Sequence, residues 1–466
     1  MLVKLPTYQA AVLQNPYEHF AMFGGFGVGK SFTGAQWAIA RMIERPDLTG
    51  LIGANTYDQL SQAALRELFL WLDSYGIEYV IDQRPPKDWG ITRKAFKSYK
   101  NILSVRIDPK IITTVFTRVM SKPNALRGVN CSWYWMDEAR DTPRNTFDVI
   151  LSRLREDNHY RRGLLTSTTN GEDWAYENFV LKASRTRGSC HIPSQASVDA
   201  GINSKEWLQQ MLDLYDPLTA EQELWARHVD VLGGRAYYAF GKHNRKPCPW
   251  GQTEIDKSRP VIVGMDFNYD PAPMLWVVGQ LGPDGTEYED HMHWFLEVEG
   301  RQVSTRAQTR TLVDLVGADC FYQMFGDASG ARGSTSNAGE HDFAQIADEM
   351  DQLGVSRTID FDEANPRVID RVQNMNRLAK SASGKVLMTY NKDRCPRLHA
   401  DVRKVGWRKT IVGRGKLDDK GDHTLTHASD AAGYAAWKVL PFARRGYVGE
   451  NIAGSEGRSE IAALRG

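Results

Sequence analysis

The sequence predicts an α/β protein of two domains separated by a helical connector. In the first half, short apolar runs alternate with helical patterns, the mark of a parallel-rich, doubly wound sheet. From about Asp199 to Asp230 that alternation gives way to a polar helical stretch, succeeded by the Gly/Tyr-rich piece Gly233–Gly241 and the cluster Pro247–Gly251. A second α/β pattern then starts at the apolar run Val261–Met265. At 466 residues the chain is too long for one ordinary core. The expected division is a first domain over 1–198, a helical linker or lid over 199–250, a second domain over 251–443 and a flexible tail over 444–466.

Strands are expected at Phe20–Phe23, Leu51–Ala54, Ile111–Phe116, Ser132–Met136 and Leu164–Ser167. Ser31–Glu44 has helical character and stops before Pro46, where the residue ahead of a proline leaves helix geometry. In the connector, Trp207, Leu208, Met211 and Leu212 share one helix face. Beyond it, Met274–Gly279 and Cys320–Phe325 read as strands and Ser429–Leu440 as a small-residue-rich helix. The tail from Arg444 holds five glycines and few large apolar residues, which predicts mobility.

Composition excludes several classes. With 42% hydrophobic and 25% charged residues the chain has the make-up of a soluble globular protein. No run of about 18 apolar residues occurs, so no spanning helix and no membrane partner are expected. Residues 1–14 show no signal-peptide pattern. Cys131, Cys190, Cys248, Cys320 and Cys395 are scattered, fitting neither a disulfide framework nor a zinc site, and read as reduced packing residues of a cytoplasmic protein. The net charge of +1 leaves nucleic-acid binding open, because basic residues gathered on one face suffice.

Gly24-Gly25-Phe26-Gly27-Val28-Gly29-Lys30-Ser31 matches G-x-x-x-x-G-K-[ST] in full. Glycines let backbone N–H groups close round phosphate oxygens at the positive end of the next helix. Lys30 would meet the β- and γ-phosphates and Ser31 would ligate magnesium. The partner motif is Trp133-Tyr134-Trp135-Met136-Asp137-Glu138, an apolar strand that delivers two carboxylates to the sheet edge where the loop lies. Asp137 would hold the Mg2+ shell, and Glu138 would orient or deprotonate the attacking water. Together they predict nucleoside triphosphate hydrolysis. A guanine-nucleotide switch is discarded: Asp327-Ala328-Ser329-Gly330 lies too far from the loop, and Asn391-Lys392-Asp393-Arg394 misses N-K-x-D.

A second constellation is acidic. Asp266 ends one expected strand, Asp327 another, and Asp430 opens the helical segment Asp430–Leu440. Carboxylates gathered within about 4 Å repel by roughly 4 kcal/mol per pair at an effective dielectric of 20, so such a cluster wants divalent cations. Oxygen ligands suit Mg2+ or Mn2+ rather than zinc. Strand-end and helix-start aspartates also occur as plain caps, and that reading stays open on the residues alone. His427 sits one turn before Asp430, and Asp270, Asp418, Asp419 and Asp422 are further candidates for a metal shell.

These motifs, in this order, resemble the large terminase subunit of tailed bacteriophages over roughly Tyr8 to Trp437. The likeness rests on Tyr8-Gln9, G-G-F-G-V-G-K-S, W-Y-W-M-D-E-A, Ser167-Thr168-Thr169-Asn170-Gly171, G-M-D-F-N-Y-D-P, F-G-D-A-S-G and H-A-S-D-A-A-G-Y-A. It implies an N-terminal ATPase domain and a C-terminal RNase H-like nuclease, a motor that packages double-stranded DNA and cuts it. By the likeness Gln9 contacts the adenine of ATP, Thr168 to Asn170 sense the γ-phosphate, and Asp266, Asp327 and Asp430 hold the nuclease metals. It also implies a portal protein and procapsid, a small terminase subunit, a homo-oligomeric ring, and work in the host cell cytoplasm. Leu126-Arg127-Gly128 resembles a family motif too, making Arg127 a candidate for charge stabilisation or an ordinary salt-bridged arginine. Many relatives carry arginine where this chain has Phe26, so the transition-state charge must come from elsewhere, from Arg127 or a neighbouring subunit.

Two basic clusters are candidate DNA contacts. Arg403, Lys404, Arg408, Lys409, Arg414 and Lys416 surround Trp407 just ahead of Asp430, and Arg153, Arg155, Arg161 and Arg162 form the second. Two other functions remain alongside the packaging motor: a helicase-like or repair ATPase fused to a nuclease, and a binding module whose second half lacks catalysis.

Overall fold

The computed structural model describes residues 4–90, 96–230, 234–331, 340–408, 415–418 and 421–441. The chain divides into two compact units, the first comprising Met1–Leu212 with Pro217–Val231, the second Asp213–Asp216 with Leu232–Gly466. The stretch 199–250 is therefore not a separate body. Its helices Lys205–Leu214 and Pro217–Glu223 fall largely in the first unit, and its residues from Leu232 onward belong to the second.

The first unit is built on an eight-stranded sheet. Its strands are β1 (His19–Gly24), β2 (Gly50–Ala54), β3 (Glu78–Ile81), β4 (Ile102–Asp108), β5 (Ile111–Val119), β6 (Trp133–Asp137), β7 (Arg162–Ser167) and β8 (Arg187–Ile192), in the spatial order β3-β4-β5-β2-β6-β7-β1-β8. From β5 to β8 every pairing is parallel, whereas β4 runs antiparallel to both β3 and β5. The parallel part needs cover on both faces, which explains the unbroken apolar run of β6. Trp133 and Trp135 enter one core with Ile52 and Leu68, while Tyr134 and Met136 enter the opposite core with Ala21, Phe23 and Phe147. Helix Lys30–Glu44 comes shortly after β1 and closes the first of these cores through Ala35, Trp37, Ala38 and Ile39.

The second unit holds a six-stranded sheet of β9 (Val261–Asp266), β10 (Met274–Leu281), β11 (Met292–Gly300), β12 (Tyr322–Gly326), β13 (Arg357–Asp360) and β14 (Met388–Tyr390), ordered β13-β12-β9-β10-β11-β14. β9, β10 and β11 form an antiparallel meander, and β12 lies parallel to β9 on its other side, with β13 parallel to β12. This is the RNase H-like order. Helix His427–Val439 packs across β9 through Ala428, Ala431, Ala432 and Ala435. Helices Thr305–Val316 and Asp342–Gln352 supply Leu312, Val313, Ile346 and Met350 to the opposite core.

The packing explains why the last helix is so rich in small residues. A Cβ on Gly264 of β9 would fall 2.1 Å from the Ala431 carbonyl oxygen, so only glycine permits the helix this close. The approach places the first turn of that helix at the C-terminal edge of the sheet. Asp430 lies within this first turn, because the helix begins at His427 rather than at Asp430.

Candidate functional site

In the first unit the predicted phosphate loop joins β1 to helix Lys30–Glu44. Gly29 caps that helix at φ 75°, a left-handed conformation that glycine adopts without strain. Lys30 Nζ donates to the carbonyls of Gly24 and Gly25 at 3.2 and 3.3 Å and lies 5.6 Å from the Phe26 ring centroid. Gln9 is 3% exposed, and its amide donates to the Val28 carbonyl at 3.1 Å, beside the Tyr8 hydroxyl on the same oxygen. Gln9 and Tyr8 thus brace the loop from one side.

β2 separates β5 from β6, and β7 separates β6 from β1, so the end of β6 opens beside the loop. Ser31 Oγ donates to Asp137 Oδ2 at 2.9 Å, and Thr166 Oγ1 at the end of β7 donates to Asp137 Oδ1 at 2.6 Å. Trp135 Nε1 donates to the same threonine hydroxyl at 2.8 Å, fixing it in turn. Burial pushes the Asp137 carboxyl up to about 6, helped by the Glu138 charge and opposed by the bonds from Thr166 and Ser31. A buried carboxylate beside a serine hydroxyl at a phosphate loop is a fitting donor set for magnesium. Glu138 sits at φ 47°, strain of about 1–3 kcal/mol for a residue with a Cβ, of a kind that collects at functional sites.

The stretch Ser167–Gly171 leaves β7 at the same edge. Thr168 is 4% exposed and its hydroxyl accepts from Arg140 Nη1 at 2.7 Å. Asn170 Nδ2 donates to the Arg140 carbonyl at 3.2 Å, and Ser167 Oγ accepts from the Arg140 N–H at 3.0 Å. Arg140 therefore organises this corner, a role that sequence reasoning misses. Its one signal is its position two residues after Glu138. Arg127 is exposed, and its side chain makes no hydrogen bond or ion pair among the described residues. Arg153, Arg155, Arg161 and Arg162 lie near the start of β7, at the sheet edge opposite the loop, with Arg162 paired in register to Trp133.

In the second unit Asp266 is the last residue of β9 and Asp327 comes immediately after β12, whose Gly326 pairs with Met265. Both therefore leave the same edge of adjacent parallel strands, and helix His427–Val439 brings Asp430 to that edge. Each carboxylate has its own partner. Asp430 pairs with Arg371, which is 3% exposed and stacks 4.2 Å from the Tyr434 ring centroid. His427 Nδ1 lies 2.8 Å from Asp266 Oδ2, which also accepts from the Asn268 amide. Asp327 accepts from Asn365 Nδ2 at 2.9 Å and from the Tyr434 hydroxyl at 3.3 Å.

The three aspartates feel one another. Burial pushes the Asp430 carboxyl up to about 6, with Arg371 opposing and Asp266 and Asp327 adding to the rise. Oxygen donors in mutual repulsion fit a divalent cation by chemistry. The three carboxylates reach one edge, but each is held by a protein partner of its own. Among the described residues no three acidic, histidine or cysteine side chains stand close enough together to hold a metal ion. Arg371, His427, Asn268 and Asn365 reach the carboxylates instead.

Of the other candidate ligands, Asp270 is exposed, Asp422 caps Thr424, Asp418 pairs with Arg408 at 3.4 Å, and Asp419 lies outside the described residues. Arg403 and Lys404 end helix Pro396–Lys404, while Trp407, Arg408 and Lys416 lie on the two-stranded ribbon Gly406–Arg408 and Lys416–Asp418. Lys409, Arg414 and the tail from Arg444 fall outside the described residues. No described helix is long and apolar enough to cross a membrane.

Comparison with known proteins agrees with this geometry. Residues 21–241 match the family model for the terminase large subunit, T4likevirus-type, N-terminal domain. The large terminase of a thermophilic bacteriophage superposes with a TM-score of 0.58 at 14% identity, over 94% of this chain and 100% of that one. The same phage protein in complex with ATP-gamma-S gives 0.56 at 15% identity, again over 94% and 100%. No curated protein matches the chain. Residues 21–241 thus match the N-terminal domain of the large terminase subunit family, and the chain as a whole has the fold of a phage large terminase.

Proposed function

We propose that the protein is a DNA-packaging motor, an ATPase that drives double-stranded DNA into a capsid and an endonuclease that cuts it. The observation that carries this reading is the Ser31–Asp137 contact. It joins the phosphate loop to the acidic end of β6 at one sheet edge, within a terminase-type fold. The thermophilic phage terminase in complex with ATP-gamma-S supports ATP as the nucleotide.

In this reading Ser31 and Asp137 would hold magnesium, which when bound neutralises and orders the phosphates. Lys30 exchanges its loop carbonyls for phosphate oxygens. Glu138, held in its strained turn beside Asp137, orients the attacking water and accepts its proton on a carboxylate oxygen. Thr168 and Asn170 face the same edge and report the change. Gln9 holds the loop through Val28 and borders the adenine.

Asp266, Asp327 and Asp430 are the nuclease carboxylates, and Mg2+ or Mn2+ held there would activate water for phosphodiester cleavage. Arg403, Lys404, Arg408 and Lys416, with Trp407, offer a non-specific backbone contact nearby in sequence. Portal protein and procapsid, a small terminase subunit and a homo-oligomeric ring are the partners, and the host cytoplasm is the site of work.

The test is cleavage of supercoiled plasmid in Mn2+ or Mg2+. Wild type and Glu138→Ala should cut, whereas Asp266→Ala and Asp430→Ala should not. No cutting by wild type in either metal would remove the nuclease half of the proposal. ATPase activity stimulated by portal protein separates a packaging motor from a helicase-like or repair enzyme.

A further inference from the structure

The segment running from helix Pro217–Glu223 to Asp230 touches the start of the phosphate loop, the Ser167–Gly171 stretch and Arg140. The Glu223 carbonyl accepts from the Phe26 N–H at 2.8 Å. The Leu224 carbonyl oxygen stands where a Cβ on Gly25 would come within 2.4 Å. Thr169 Oγ1 donates to the Gln222 and Arg227 carbonyls at 3.3 and 2.7 Å, and His228 Nδ1 lies 2.9 Å from the Gly171 carbonyl. One side-chain pair closes the circuit. Arg140 Nη1 reaches Glu223 Oε1 at 2.7 Å while also donating to the Thr168 hydroxyl at 2.7 Å.

That pair is costly to bury. Glu223 is 1% exposed, and the Arg140 side chain 11%. Taking two charges out of water costs several kcal/mol per ion, so a buried pair is weak evidence for stability and better explained by a switching or registering role. Each member also has a second partner alongside the first. Gln222 Nε2 donates to the same Glu223 oxygen at 3.1 Å, and Asp141 Oδ1 lies 3.8 Å from Arg140 Nε. Thr168 accepts from Arg140, which leaves its own hydroxyl proton to donate to a phosphate. The junction therefore joins the nucleotide edge to the segment 217–230 through an unbroken chain of side-chain contacts, the physical connection that coupling between sites can use.

We propose that Arg140 and Glu223 form a positioning latch that transmits the state of the nucleotide site, through Thr168, to the segment 217–230. Neither side chain is assigned contact with the reacting atoms. Arg140 holds Thr168 and the turn bearing Glu138 in register with Glu223, and Glu223 holds its segment against the loop. The latch rests on the reading of Gly24–Ser31 as a nucleotide site.

Hydrogen exchange of the full chain, with and without ATP-gamma-S, tests it. In wild type the amides of 217–230 should exchange roughly tenfold more slowly with the nucleotide bound, an ordinary site-to-site coupling. Arg140→Gln/Glu223→Gln removes both buried charges together, and Glu223→Gln alone cuts the ion pair while leaving the Arg140–Thr168 hydrogen bond in place. Both should bind ATP-gamma-S within about threefold of wild-type affinity, yet show less than about twofold slowing of those amides, and Arg140→Lys should restore part of it. Wild-type slowing that persists in either variant overturns the latch, as does a wild type that binds nucleotide without slowing. A wild type that fails to bind ATP-gamma-S instead overturns the nucleotide-site reading, and the latch with it.

Discussion

Arg371, which is buried, and Asp430, which is partly buried, form an ion pair at the carboxylate edge of the second unit, the guanidinium lying over Tyr434. Gly433 makes room for it, since a Cβ there would come within 2.8 Å of Arg371 Cδ. The helix that carries Asp430 is thus shaped around an arginine from helix Val368–Ala379. Removing the cation alone leaves a partly buried carboxylate without its counter-charge. Arg371→Met is expected to destabilise the second unit by about 3–5 kcal/mol, and adding Asp430→Asn should recover most of the loss. Urea unfolding of the two variants beside wild type reads this directly. Equal stability of the single and double variants would show that the pair does not matter.

Lys30 points its ammonium at the carbonyls of Gly24 and Gly25, oxygens that a phosphate would replace. Lys30→Ala should lower kcat for ATP hydrolysis by roughly 10²–10³-fold, the scale of losing one aimed donor in an active site. Steady-state phosphate release measures it. A loss under tenfold would move the phosphate charge to another residue.

The Asp137 carboxyl, raised by burial from 3.8 to about 6, predicts a pH dependence with a definite sign. The folded state holds this proton more tightly than the unfolded state does. Its contribution to stability therefore falls as pH rises from near the unfolded value through the folded one, and is unfavourable at neutral pH. Asp137→Asn, without nucleotide or metal, should raise Tm by roughly 2–6 °C at pH 7.5 and by little at pH 4. Scanning calorimetry at the two pH values decides it, and a lowered Tm at pH 7.5 would contradict the argument.

Where the sequence is legible, the reason is physical. β6 can be read because a strand covered on both faces must be apolar throughout, and Trp133-Tyr134-Trp135-Met136 is. The phosphate loop can be read because its chemistry demands fixed residue types at fixed spacing. β3 escapes because Glu78–Ile81 is an edge strand without a buried residue, and β8 because Arg187-Gly-Ser-Cys-His-Ile has no apolar run. Arg140 escapes for a different reason. Its partners Thr168 and Glu223 lie 28 and 83 residues away, and only the fold joins them. The same holds for Arg371, 59 residues from Asp430, so a reading of carboxylates alone expects a metal cluster where the structure pairs each acid with a protein donor.

Phe26 occupies the loop position where arginine would supply a charge, while Arg127 stands exposed and unpaired among the described residues. That placement suits a charge offered to a neighbouring copy. The isolated chain should hydrolyse ATP slowly, and assembly on portal protein and DNA should accelerate it by on the order of 10³-fold. In Arg127→Ala the ratio of assembled to isolated turnover should fall close to unity. Equal turnover per subunit in isolated and assembled wild type would sink the idea.

Gly264 sets how closely helix His427–Val439 can lie on β9, since an added Cβ would meet the Ala431 carbonyl at 2.1 Å. That helix carries both His427 and Asp430, whereas Asp266 ends the strand beneath it. Gly264→Ala must therefore push the helix outward, at about 1–3 kcal/mol of overpacking. The carboxylate edge pulls apart by the same shift. Plasmid cleavage should drop by roughly 10²-fold, the sensitivity expected for a displacement near 1 Å at a catalytic site. ATP hydrolysis, whose residues lie in the other unit, provides the internal control and should be kept. Cleavage that survives Gly264→Ala would mean that Asp430 does not act together with Asp266, and loss of both activities would point to global unfolding instead.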